Sequence, residues 1–156
     1  ENAKLFDEIA ETASFSHEDE NPLENRRPYE DASRRADLER TAGAILEVDV
    51  DITHPLGFGL PKTLPVFRNH NVLLKPSTNV HANPLVYTEK IVLSGYVSQN
   101  NRKLIANSAS VVVRPLGSGR VILLAENPVF RAYWYGTNRL LLNGIFLSDL
   151  ISNSLQ

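Results

Sequence analysis

The side chains best equipped for chemistry lie together in residues 126–138, Glu-Asn-Pro-Val-Phe-Arg-Ala-Tyr-Trp-Tyr-Gly-Thr-Asn. Glu126 offers a carboxylate, Arg131 a guanidinium fork, Tyr133 and Trp134 aromatic faces, and Asn127 and Asn138 amides. Such a set suits a sugar or a peptide carboxylate. The segment follows an apolar run and opens into an apolar helix, and ligands of α/β folds gather at strand ends of this kind. It holds no Cys, His or Ser, so it lacks the usual nucleophiles and an imidazole base. The same residues also suit a structural corner. Amphipathic rings cover the end of a sheet there, and hydrogen bonds pin the turn. The structural reading is favoured, with Asn127, Arg131 and Trp134 expected to hold the junction.

The histidines are His17, His54, His70 and His81. His54, near Asp49 and Asp51, is the alternative acid–base candidate, as the base of an independent hydrolase. Its neighbour Pro55 favours a turn-capping role instead. His17 and Glu20 have the His-x-x-Glu spacing of some zinc hydrolases, but they lie in an acidic loop, so a solvated role is favoured and no metal site is assigned. Gly117-Ser118-Gly119 invites a phosphate-loop reading. A strand follows it, not a helix, so a hairpin turn is the better account. Ser94, Ser108 and Ser110 lack a nucleophile-elbow pattern.

These residues need elements to position them. Residues 1–41 read as a helical, acidic segment, with an amphipathic helix at 3–13, a loop at about 14–28 and a charged helix at 30–41 capped by Glu30 or Asp31. Residues 42–156 read as an α/β core. Ala44 to Val50 alternates like a half-buried strand. Short strands are expected at 64–68, 72–75 and 91–95, and a short helix at 99–106. Ala109 to Arg114 and Arg120 to Ala125 form a hairpin around Gly117. A final helix from Thr137 or Asn138 to about Ile151 is apolar nearly all round, which predicts burial.

The bulk composition narrows the function. The 156 residues suit one domain with a real core. Cysteine is absent, which removes disulfides, thiolate zinc sites and Cys nucleophiles. The net charge of −2 hides an asymmetry. Residues 1–51 carry 15 acidic and 6 basic side chains, a net −9, and residues 52–156 carry 3 and 10, a net +7. The basic residues are scattered, so nucleic acid is not expected as a partner. Neither is a membrane span, which needs a run of roughly 18 apolar residues. The chain contains no Met and is expected to be a processed protein or a piece of a longer one.

Several segments carry a resemblance. They are Ala44 to Gly59, Leu64-Pro-Val-Phe-Arg-Asn69, Leu93-Ser-Gly-Tyr96, Asn107 to Val113 and Gly117 to Asn138. Over roughly residues 42–150 the chain resembles the C-terminal region of large bacterial zinc carboxypeptidases, metallopeptidases related to carboxypeptidase A. In that family a peptidase domain precedes a domain similar to class I glutamine amidotransferases. The resemblance implies a partial amidotransferase-like (flavodoxin-like) sheet with a C-terminal β-hairpin and a buried final helix. It also implies a secreted or periplasmic setting. Zinc belongs to the N-terminal peptidase domain of the same polypeptide, which would be the main partner, and no cofactor is expected in this chain. In an active amidotransferase-like domain the Gly-x-Gly hairpin leads to a strand ending in His-Pro-Glu, part of a Cys-His-Glu triad. Here Asn127-Pro128-Val129 stands at that place, and neither Asn nor Val can act as base or orient one. The implied role is a noncatalytic accessory domain. A carbohydrate- or peptide-binding module, or an oligomerisation module, is the alternative. The first parallel strands would precede Glu1, leaving a strand edge to be covered.

Overall fold

The computed structural model describes residue 26 and residues 28–152. The expected helix at 3–13, most of the loop at 14–28, and His17 and Glu20 lie outside the described residues. A 3₁₀ turn at Tyr29–Asp31 leads into helix α1, Ala32–Glu39. Neither Glu30 nor Asp31 caps it, because Asp31 makes no side-chain bond to the first turn.

Five strands follow: β1 (Ala44–Val50), β2 (Thr63–Arg68), β3 (Leu85–Gly95), β4 (Ala109–Leu116) and β5 (Gly119–Leu124). They form one sheet in the order β2-β1-β3-β4-β5. Every pairing is antiparallel, so the described residues make a mixed α/β structure on an antiparallel sheet. This corrects the expectation of a parallel flavodoxin-like sheet. One connection forces its pairing. Parallel neighbours need crossovers of a dozen or more residues, usually helical, and only two, Gly117 and Ser118, join β4 to β5.

The hairpin is as expected, with Gly117 in the left-handed region at φ 59°. Two other expectations need correction. Residues 72–75 form no strand, only a single bridge from Leu74 to Ala109. The strand expected at 91–95 starts six residues earlier, at Leu85. Helix α2, Gln99–Ala106, is where the sequence placed it, and the Ser98 hydroxyl accepts the amide of Asn101.

Alternation sets the faces. Leu46, Val48 and Val50 of β1 are fully buried, as are Leu64 and Val66 of β2. They join Leu56, Leu85, Val111, Val113 and Leu140 in the main core. Strand β4 is buried on both sides: Ala109 and Val112 pack with Leu74 in a second, smaller cluster. Pro65 sits exposed on β2, an edge strand, where its missing N–H costs no ladder bond.

Helix α3, Asn138–Phe146, is shorter and more exposed than expected. Only Leu140 and Asn143 are buried, while Ile145 is 60% and Phe146 75% exposed. A single sheet end can cover one side of a helix, and no described element covers the other. Gly144 allows the approach: a Cβ there would already touch Ile122 and Leu56 at 3.5 and 3.9 Å. Asn143 ties the helix to the turn at Pro55–Gly57 by donating to the carbonyls of Leu56 (2.8 Å) and Phe58 (2.9 Å).

Candidate functional site

The inward face of β2 reads Leu64, Val66, Arg68, and each is at most 3% exposed. An inward Arg must find a counter-charge, since an unpaired buried charge is prohibitive. Arg68 finds Glu126, two residues past β5, at 2.8 Å. The sheet curls so that the end of one edge strand meets the chain leaving the other. Tyr87 of β3 lies between them, accepting from Arg68 at 2.8 Å and donating to Glu126. Ser110 of β4 donates to the other carboxylate oxygen at 2.8 Å. Arg68 also donates to the carbonyl of Val72 and lies 5.8 Å from the Tyr87 ring centre.

This quartet leaves Glu126 little chemistry to do. Both of its oxygens are engaged and its side chain is 5% exposed. Burial, then the Glu126 charge, pushes the Tyr87 phenol well above its ordinary range, so it stays a neutral donor. His70 stands nearby, half-buried. Its Nδ1 accepts the amide of Val72 at 3.3 Å. Burial, then the Arg68 charge, lowers its pKa.

The rest of the 126–138 segment is a corner held by its own bonds. Asn127 accepts the amide of Val129 at 3.0 Å. Thr137 donates to the carbonyl of Pro128 at 2.6 Å. Asn138, with its amide nitrogen turned toward them, donates to the carbonyls of Pro128 (3.1 Å) and Trp134 (3.3 Å). Arg131 and Ala132 both have positive φ, 51° and 53°, a strained pair for residues with a Cβ. Arg131 is exposed and lies 5.2 Å from the Phe130 ring centre. Trp134 is half-buried against Phe67, and Phe67 packs on Phe130 at 4.5 Å. Tyr133 and Tyr135 point outward, 60% and 73% exposed. The corner thus brings Asn127, Thr137, Asn138 and Trp134 together. It sends Glu126 inward and Arg131 outward.

His54 lies in a different place. It sits at the mouth of the turn Pro55–Gly57, where its Nδ1 accepts the amide of Leu56 at 3.1 Å. In the neutral ring the proton is then on Nε2, which is enclosed and has no hydrogen-bond partner among the described residues. Burial lowers the His54 pKa, against a smaller opposing effect of Asp51. The Asp51 carboxylate accepts both the amide and the hydroxyl of Thr53, at 2.9 and 2.6 Å, and Asp49 pairs with Lys62 at 3.5 Å. So no ring nitrogen of His54 is bonded to a carboxylate. His54 and Asp51 do line one cavity of about 260 Å³, together with His81, Arg120 and the apolar Val113 and Ile151.

Among the described residues no group of three His, Cys, Asp or Glu side chains is placed to hold a metal. No described helix is long and apolar enough to cross a membrane.

No protein-family model, curated protein or solved structure matches this chain.

Sequence reasoning missed Arg68, Tyr87 and Ser110 as the partners of Glu126. The signal for Arg68 was available in the period of two, which places it on the same face as Leu64 and Val66. The cavity wall from Arg120 to Ile151 had no local signal, because it joins the hairpin to a turn 31 residues later.

Proposed function

We propose that this chain is a noncatalytic accessory domain of a secreted or periplasmic zinc carboxypeptidase, placed after the peptidase domain of the same polypeptide. The observation that carries this reading is the state of the corner. Glu126 is consumed by Arg68, Tyr87 and Ser110, and Asn127 and Asn138 are consumed by the turn. The place where a related fold would keep its base serves this one as a structural junction. Kinship with an amidotransferase-like domain would lie in β4, β5 and the corner into α3, not in the sheet as a whole.

An uncovered apolar face supports an accessory role. Phe58, Leu142, Ile145, Phe146 and Leu150 are all at least half exposed around α3 and the turns packed on it. A peptidase domain in the same polypeptide would cover such a face. The gene upstream of Glu1 should encode a peptidase domain with a His-x-x-Glu pair and a distant third His ligand. A preceding sequence with no such domain would end this reading.

A second reading, an oligomerisation module, draws on the same exposed face. Sedimentation of the chain at micromolar concentration separates the two. A dimer abolished by Phe146→Glu favours self-association, and a monomer favours a partner domain.

A further inference from the structure

The cavity between the Pro55–Gly57 turn and the β4–β5 hairpin belongs neither to the buried quartet nor to the corner. It combines three chemically distinct walls. Arg120 supplies a cation: one of its N–H groups donates to the carbonyl of Ile151, and the others have no partner among the described residues. Asp51 supplies an anion. Its carboxylate accepts from Thr53 through Oδ1, which fixes its orientation at the cavity. Val113, Leu150 and Ile151 supply an apolar wall.

The volume limits the occupant. About 260 Å³ lies just below the range of about 300–1,000 Å³ for pockets that take drug-sized molecules. A molecule of amino-acid size fits that space. A guanidinium selects a carboxylate, with bidentate geometry available. A carboxylate selects an ammonium, and an apolar wall selects a hydrocarbon side chain.

We propose that this cavity binds a free α-amino acid with an apolar side chain, its carboxylate on Arg120 and its ammonium on Asp51. The site is independent of the peptidase reading and stands or falls without it.

Three probes of one shape test it on the 156-residue chain: L-leucine, 4-methylpentanoate (no ammonium) and isoamylamine (no carboxylate). Backbone amide shifts of Asp51, Val113, Arg120 and Ile151 report occupancy. Leucine should saturate with a Kd of about 1 mM or below. Each truncated probe should bind about tenfold or more weakly, as expected for the loss of one charged hydrogen bond. Asp51→Asn keeps an acceptor for Thr53. It should bring leucine down to the level of 4-methylpentanoate and leave 4-methylpentanoate unchanged. Arg120→Gln should do the converse, sparing isoamylamine. Should Arg120→Gln prove unfolded by its melt, the Asp51→Asn pattern decides alone. No saturation by leucine up to about 20 mM, equal affinity for all three probes, or an equal loss for all probes in Asp51→Asn would each overturn the proposal.

Discussion

Replacing Glu126 by Gln isolates the charge at the centre of the fold. The substitution keeps the shape. The new amide oxygen can still accept from Arg68 and Tyr87, and the new amide nitrogen can donate to Ser110. What disappears is the negative charge opposite Arg68, whose side chain is 1% exposed. Removing one partner of a buried pair costs about 3–5 kcal/mol, since the remaining charge stays desolvated. Because the Gln retains acceptors for Arg68, the expected loss is near the lower end, about 3 kcal/mol. Domains are stable by only about 5–15 kcal/mol, so this is a large fraction. With a urea m-value of about 1.5–2 kcal/mol/M, the unfolding midpoint should fall by about 1.5–2 M. Urea melts followed by Trp134 fluorescence would read it. The companion double variant Arg68→Met with Glu126→Leu removes both charges but leaves the buried Tyr87 and Ser110 hydroxyls without their acceptor, so it should cost about 1–3 kcal/mol, no more than Glu126→Gln alone. A Glu126→Gln stability within about 0.5 kcal/mol of the parent would refute the reasoning, because an enclosed Arg68 could not lose its counter-charge so cheaply.

Other perturbations test separate parts of the structure. His54 and His70 are both held below their usual 6.5 by burial, so the unfolded chain takes up protons that the folded chain resists. Their contribution is therefore complete above about pH 6.5 and is lost as pH falls below it. Tm should drop between about pH 7.5 and pH 5.5, and His54→Asn, which keeps the cap acceptor and removes the titration, should shrink that drop. At Gly57 a Cβ would overlap the carbonyl oxygen of Asp51. Gly57→Ala should cost at least about 2 kcal/mol by urea melt, and a neutral result would contradict that packing. Ala132 has φ 53°, a conformation costing roughly 1–2 kcal/mol with a Cβ. Ala132→Gly should therefore raise stability by about 0.5 kcal/mol despite the entropy of glycine, where it would normally lower it. Asn127 is exposed and makes its bond within a local turn, so Asn127→Ala should cost only about 0.5–1 kcal/mol in the same melts.

Local features were legible in the sequence. The two β-branched runs around Gly117 announced the β4–β5 hairpin, and the alternation of Ala44 to Val50 announced the faces of β1. Features that depend on distant neighbours were not. The period of two places Arg68 inward but cannot name Glu126, 58 residues away, as its partner. That pairing needs the curl of the whole sheet. The all-round apolar pattern of residues 140–151 predicted burial. The helix instead ends at Phe146 and leaves one side open, because the sheet end and the Pro55–Gly57 turn cover only the side that carries Leu140 and Asn143. Strand direction was likewise invisible to periodicity, which is the same for parallel and antiparallel strands. A short connection decides it only for β4 and β5, which two residues join. Within 126–138 the residue types suggested a corner, but not that Glu126 would turn into the core while Arg131 turned out.

The account's central claim is that the 126–138 corner is a structural junction in a noncatalytic domain. The most direct measurement is release of C-terminal residues from a blocked dipeptide, by the longer zinc-loaded polypeptide proposed above and by this chain alone. Under that proposal the longer polypeptide is active, unchanged per folded molecule by Glu126→Gln, and the isolated chain is inactive. Hydrolysis by the isolated chain, abolished by Glu126→Gln at full folding, would contradict it.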